Sequence, residues 1–285
     1  MRGEKARIQR LVGSGVESID DLGSSHSWTL HRVSLHDGRE VFVKAADDQA
    51  GVFAAEAAGL RWLAEAGPDV PVPPVLGADE RLLILPWLPP APPGAEAAER
   101  FGRDLAALHT GARPSAYGAP WDGFIADLPL DNTPDGRAWP QWYAERRLAP
   151  FLRAAARHLP ADGVRLVERV MADAGSLAGP PEPPSRVHGD LWSGNIVWTG
   201  GRAMLVDPAA HGGHRETDLA MMALFGTPHL DRILAAYDEA APLPDGWRAR
   251  VPLHQLHPLL VHAVLFGGSY GSSVVEAARA ALAAG

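Results

Sequence analysis

Residues 188–207 constrain this chain most. His188-Gly189-Asp190-Leu191-Trp192-Ser193-Gly194-Asn195 leads into two short runs, 196–199 and 202–207, that flank Gly200-Gly201 and end on Asp207. Paired glycines between such runs predict a hairpin with a two-residue turn. Counting back along the antiparallel ladder pairs Thr199 with Arg202 and Asn195 with Val206, which sets Asp207 beside Asn195 at the open end. At average residue frequencies, His-Gly-Asp with Asn at this spacing arises by chance in about one chain in a thousand of this length. Asparagine is also scarce, occurring only at 132 and 195.

An amide oxygen and a carboxylate side by side are hard ligands suited to a divalent cation that bridges phosphates, so Asn195 and Asp207 are the candidate Mg2+ ligands. Asp190 is then free to take a proton from an attacking hydroxyl. One base and two metal ligands make half of a phosphoryl-transfer site, because that reaction asks the protein mainly for positioning and charge neutralisation. The competing reading is a capped turn with a solvated aspartate.

The other half needs a lysine on the nucleotide phosphates and a carboxylate to orient it. Of 26 basic residues only Lys5 and Lys44 are lysine, and Lys44 follows Val41-Phe42-Val43 in an apolar strand. A single flexible ammonium suits a phosphate-bridging position better than a planar guanidinium. Along 52–66, Phe53, Leu60 and Leu63 mark one face of a helix, and Glu56 falls on that face. A lone carboxylate is rarely buried, so Lys44 and Glu56 are expected to pair. Otherwise Glu56 rotates to solvent and Lys44 snorkels.

The fold class follows from how the patterns change along the chain. Strands at 28–35 and 40–45 flank Asp37-Gly38, and a further strand is expected at 81–85, ending in Pro86-Trp87-Leu88. After Pro92-Pro93-Gly94 helical patterns dominate, at 101–108, 139–158 and 161–177 and again toward the C-terminus. An α+β fold, with a small β-rich part before a larger, mainly helical one, is therefore expected. Residues 1–88 would form a small antiparallel β lobe with one helix and the hinge, and 89–285 a larger, mainly helical catalytic and substrate-binding lobe. Within this frame Leu22 to Ser27, with Ser24 and Ser25, is the candidate phosphate loop. The Pro86 carbonyl and the Leu88 amide are the candidate adenine contacts, since Pro86 has no N–H.

Composition excludes several other classes. A net charge of −8 argues against nucleic acid or an anionic membrane as partner, and the absence of cysteine removes disulfides, thiolate metal sites and thiol nucleophiles. No apolar run approaches a membrane span and Met1–Arg10 is polar, so a cytoplasmic protein is expected. His214, Arg215 and Glu216 are expected to line the acceptor side of the cleft with Trp192 as an apolar wall, helix capping being the competing reading for Glu216 and for Asp218. His254, His257 and His262 lack i, i+4 spacing and are not read as metal ligands, and Trp139, Trp142 and Tyr143 are read as packing residues.

These residues resemble the fructosamine (ketosamine) kinases. His188-Gly189-Asp190-Leu191-Trp192-Ser193-Gly194-Asn195 looks like that family's signature, narrower than the His-Gly-Asp pattern of aminoglycoside and choline kinases. Further similar segments are Phe42-Val43-Lys44, Glu56-Ala57-Ala58-Gly59-Leu60, Glu145-Arg146-Arg147-Leu148, Gly213-His214-Arg215-Glu216 and Leu265-Phe266-Gly267-Gly268-Ser269-Tyr270. The resemblance implies a two-lobed, protein-kinase-like fold and ATP-dependent phosphorylation of a sugar hydroxyl on a glycated amine, small or protein-linked. Asp190 would be the base, Asn195 and Asp207 would hold Mg2+, and Lys44 with Glu56 would position the phosphates. The chain departs from many members in having Pro86 where an acidic hinge residue stands, and from some in lacking a phosphate-loop cysteine. Other readings are a kinase for an aminoglycoside, a choline-like or another sugar acceptor, or a nucleotide-binding regulator without turnover. Oligomeric state is not read from the sequence.

Overall fold

The computed structural model describes residues 2–25, 27–47 and 51–285. Helix α1 (Arg2–Val12) precedes an antiparallel sheet of β1 (Val16–Ser25), β2 (Trp28–Leu35), β3 (Glu40–Ala45), β4 (Gly77–Ala78) and β5 (Leu82–Pro86), ordered β1-β2-β3-β5-β4. Helix α2 (Val52–Ala64) lies between β3 and β4 in sequence. Side chains alternate across each strand. Val33, Val41, Val43, Leu82 and Ile84 pack with Ile8 of α1 on one face, while Trp28, Leu83 and Leu85 pack with Phe53, Leu60 and Leu63 of α2 on the other. The two faces divide the run Leu82–Leu85 between them, which is why that strand is apolar at every position.

β2 and β3 have the bounds the sequence predicts, and Lys44 stands opposite Leu30 and Leu83. The turn between them is wider than a two-residue one. Leu35 N–H donates to the Arg39 carbonyl (2.9 Å) and only Gly38 takes positive φ, at 83°. The glycine is required because a side chain is strained in that left-handed region.

The remainder is mainly helical. Helix α3 (Ala95–Thr110) is followed by a small hairpin, β6 (Gly123–Ile125) and β7 (Leu128–Leu130), that the sequence reading did not foresee. Residues 139–158 form α4 (Trp139–Tyr143), one π turn over 144–148, α5 (Ala149–Ala155) and a closing 3-10 turn, and α6 (Gly163–Leu177) follows. Then come β8 (Ser185–Val187), the hairpin β9 (Ile196–Thr199) and β10 (Arg202–Leu205), and β11 (His211–Gly213), which pairs back on β8. Helices α7 (Glu216–Phe225), α8 (Leu230–Ala240), α9 (Trp247–Phe266) and α10 (Tyr270–Ala284) complete the chain. Among the described residues no helix is long and apolar enough to cross a membrane.

α9 carries Pro252 and Pro258 inside it, and each proline removes a helical N–H. The Tyr143 hydroxyl lies 3.0 Å from the Leu253 carbonyl and 3.4 Å from the His254 carbonyl, the one that Pro258 deprives of its helical N–H, and it receives the His257 N–H (3.2 Å). Trp139 stacks on Tyr143 and on His254, with centroids 4.7 Å apart in both pairs. The expected packing role of these rings is what the structure shows.

Candidate active site

The β9–β10 hairpin keeps the register expected for it. Arg202 faces Thr199, and Val206 N–H donates to the Asn195 carbonyl at 3.0 Å. Asp207 then takes φ 60° and leaves the ladder. The Asn195 side-chain NH2 donates to the Asp190 carbonyl (2.8 Å), to the Asp190 carboxylate (3.0 Å) and, more loosely, to the Asp207 carbonyl (3.4 Å). One asparagine thus ties both aspartates to the hairpin mouth. Its amide oxygen has no hydrogen-bond partner among the described residues, and the Asp207 carboxylate stays about two-fifths exposed to the cleft. An amide oxygen and a carboxylate side by side fit a hard divalent cation.

Lys44 reaches across from β3. Its Nζ lies 2.9 and 3.1 Å from the two Glu56 oxygens and 2.5 Å from Asp207 Oδ1. Burial disfavours the ammonium, but the two facing carboxylates outweigh it and hold the Lys44 pKa above its ordinary value. The expected Lys44–Glu56 pair is formed and ties β3 to α2, while the Asp207 contact ties Lys44 to the hairpin. Burial, and then the nearby Asp207 charge, push the Asp190 carboxyl up to about 7, while the Asn195 hydrogen bond pulls it down.

The His188–Gly189 backbone is held from below. Asp218, fully buried in the first turn of α7, accepts the N–H groups of His188 (2.7 Å) and Gly189 (2.9 Å) and the His109 Nε2 proton (3.0 Å). Burial raises its pKa, yet these donors outweigh burial and leave it below the ordinary carboxylate range. Asp218 is therefore an anchor for the turn that carries Asp190, not merely a helix cap. The sequence signal for it was an acidic residue directly before the apolar run 219–225. His188 Nε2 donates to the Val206 carbonyl (2.9 Å), which leaves Nδ1 to accept the Asp190 N–H (3.3 Å). Gly189 needs to be glycine twice over, with φ 82° and an added Cβ only 2.3 Å from the Ala209 carbonyl.

Lys44, Glu56, Asp190, Asn195 and Asp207 line a cleft of about 920 Å³ between the sheet and the helices. Its apolar slot includes Leu30, Phe42, Leu85 and Val197, and its rim carries Pro86 and Leu88. Trp87 N–H donates to the Glu40 carbonyl (3.0 Å), so the neighbouring Val41–Pro86 pair is a non-hydrogen-bonded one and the Pro86 carbonyl is not committed to β3. The Leu88 N–H has no acceptor among the described residues. Both expected adenine contacts are thus available.

Other expectations need correction. Residues 22–25 are strand rather than loop, with Ser24 opposite Thr29 and Ser25 opposite Trp28; Ser25 lines the cleft, Ser24 is exposed outside it, and His26 lies outside the described residues. Trp192 does line the cleft, its indole folded back over Gly194. His214, Arg215 and Glu216 do not. Arg215 is buried, holding Glu182 (2.6 and 2.8 Å) and the carbonyls of Ala241 and Pro242. Glu216 receives two hydrogen bonds from Arg250 (2.5 and 2.9 Å), and His214 packs on Trp139 and His254. The ligand atoms of His214, Glu216 and His254 lie within 4.8 Å of one another, but the Arg250 guanidinium already places a positive group on both Glu216 oxygens.

A small antiparallel sheet over a helical body, with this charged cluster at their seam, defines a phosphotransferase of protein-kinase-like fold. A macrolide 2'-phosphotransferase of Brachybacterium faecium shares the fold, with a TM-score of 0.64 at 17% identity over 100% of this chain and 98% of its own. The chain belongs to the fructosamine kinase family, whose model matches residues 12–284. A solved structure from Thermobifida fusca, described as a fructosamine-3-kinase, has a TM-score of 0.95 and 53% identity, covering 99% of each chain. A protein of Thermus thermophilus described as a ketoamine kinase is 36% identical over 264 residues, 91% of this chain and 94% of its own. The protein is an ATP-using kinase that phosphorylates a hydroxyl group.

Proposed function

We propose that the protein transfers the γ-phosphoryl group of ATP to a sugar hydroxyl of a ketosamine, a fructosamine or ribulosamine, as a deglycation step. Asp190 accepts the hydroxyl proton while the hydroxyl oxygen bonds to the γ-phosphorus, the bond to the β-phosphate oxygen breaks and ADP leaves. Asn195 and Asp207 would hold Mg2+, which would supply positive charge to neutralise the phosphates. Lys44, oriented by Glu56, contacts the phosphates, with Ser25, which lines the same cleft, as a further phosphate donor. The Pro86 carbonyl and Leu88 N–H hold the adenine. Residues 1–88 act as the nucleotide lobe and 89–285 as the catalytic lobe. The site of action is the cytoplasm, where ATP is available, with neither nucleic acid nor membrane as partner.

The observation that carries this reading is the Asn195 amide, which holds the Asp190 carboxylate 3.0 Å away while its own oxygen stays free beside Asp207. It separates a base from a metal position with one side chain. The test is ATP consumption with Mg2+ present, comparing a fructosamine, a ribulosamine, an aminoglycoside and choline at equal concentration. Turnover confined to the ketosamines is expected. Turnover on another acceptor instead would replace the substrate class, and none on any would leave a nucleotide-binding regulator.

A further inference from the structure

The far wall of the cleft is aromatic. His262 of α9 sits among three rings, with centroids 4.6 Å from Phe225, 5.5 Å from Phe266 and 5.0 Å from Tyr270. All four residues line the same cleft as Asp190. Packing alone accounts for three rings around a fourth, but not for the heteroatom. His262 Nδ1 lies 2.8 Å from the Pro258 carbonyl, and a carbonyl only accepts, so Nδ1 carries the proton. In the neutral ring Nε2 then keeps its lone pair, and it has no hydrogen-bond partner among the described residues. Burial lowers the His262 pKa, which keeps the ring neutral and the lone pair available.

The charged side chains of the cleft, Lys44, Glu56, Asp190 and Asp207, all belong to the phosphate end. Among the described residues, the aromatic wall offers no carboxylate with which to hold a cation. Aromatic faces attract cations, and a neutral imidazole nitrogen accepts one N–H. A sugar, by contrast, presents several hydroxyls that call for several polar partners. We infer that this wall binds the protonated amine of the acceptor, with His262 Nε2 accepting an ammonium N–H and the faces of Phe266 and Tyr270 beside the charge. The inference rests on the ketosamine reading and deepens it by assigning the amine its own subsite. Phe266 is 61% exposed, which fits a ring that waits for a ligand rather than filling a core.

The test compares steady-state kinetics on fructose-lysine, its N-acetylated neutral counterpart and free fructose, for the wild type and the His262→Leu, His262→Gln and Phe266→Ala variants. Losing a hydrogen bond to a charged group should raise the KM for fructose-lysine about tenfold in His262→Leu with little change in kcat. His262→Gln, which keeps an acceptor, should recover most of that loss, and Phe266→Ala should raise the same KM about fivefold. The KM for ATP and for free fructose should not move, which separates this role from general misfolding. An equal loss on free fructose would place the contact on the sugar and overturn the inference, as would an unchanged KM for fructose-lysine. Calorimetric binding of fructose-lysine with ADP and Mg2+ present needs no turnover. Wild-type binding that His262→Leu weakens, without phosphorylation, would support the subsite and sink only the functional reading. A wild type that neither binds nor phosphorylates a ketosamine overturns both.

Discussion

The Asp218 carboxylate receives the backbone N–H groups of His188 and Gly189 at 2.7 and 2.9 Å, so the turn that carries Asp190 hangs from α7 rather than from its own strand. Asp218→Asn replaces an acceptor-only group with one that must also bury an NH2. It should cost about 3 kcal/mol of stability, since removing one partner leaves buried donors unsatisfied. It should also lower kcat by displacing Asp190, with the KM for ATP less affected. Thermal unfolding beside steady-state kinetics checks both, and an unchanged kcat would remove Asp218 from the positioning of the base.

Asp190→Ala should lower turnover by about 10³-fold while leaving nucleotide affinity nearly intact, because a base acts in the transition state more than in the ground state. Asp207→Ala should also weaken binding of the Mg2+-nucleotide. Calorimetric titration with a non-hydrolysable ATP analogue distinguishes the two roles. Retained turnover in Asp190→Ala would sink the proposed mechanism.

Lys44→Met leaves Glu56 buried without its 2.9 Å partner and should cost about 3 kcal/mol, with a marked rise in the KM for ATP. Lys44→Met with Glu56→Gln should recover stability but not activity. Denaturant unfolding of the single and double variants measures the coupling directly. If the double variant were no more stable than the single one, the pair would not be the stabilising unit.

Glu216 carries the acid sensitivity of the helical body. Burial raises its pKa, but His254 and Arg250 outweigh burial and bring it from 4.5 to about 2. The folded value lies below the unfolded one, so ionised Glu216 stabilises the fold above about pH 4.5, and that contribution is lost as pH falls toward 2. The shift corresponds to about 3 kcal/mol. Burial and the neighbouring His254 lower His214 to about 3, so acid also destabilises through His214, between about pH 6.5 and 3. The Glu216 share is therefore the difference between wild-type and Glu216→Gln stability curves from pH 7 to pH 3. These should converge as pH falls, and parallel curves would refute the assignment.

The elements the sequence specified are those with short-range physics. Asp37-Gly38 and Gly200-Gly201 mark two hairpins, and counting back from the second turn puts Asn195 opposite Val206. Lys44 on the slot face of β3 and Glu56 on the buried face of α2 follow from strand and helix periods, and burial then obliges the two charges to meet. Only the tertiary structure decided which way the polar residues after Asp207 would turn. Arg215 meets Glu182 and Glu216 meets Arg250, partners 33 and 34 residues away, so no local pattern could tell the core from the cleft. Likewise, the hydrogen bond of Asp218 to Gly189, 29 residues back, and the ring of aromatic neighbours around His262 exist only once distant helices pack. Periodicity states which face a side chain occupies, whereas burial of a charge depends on the partner that long-range packing brings to it.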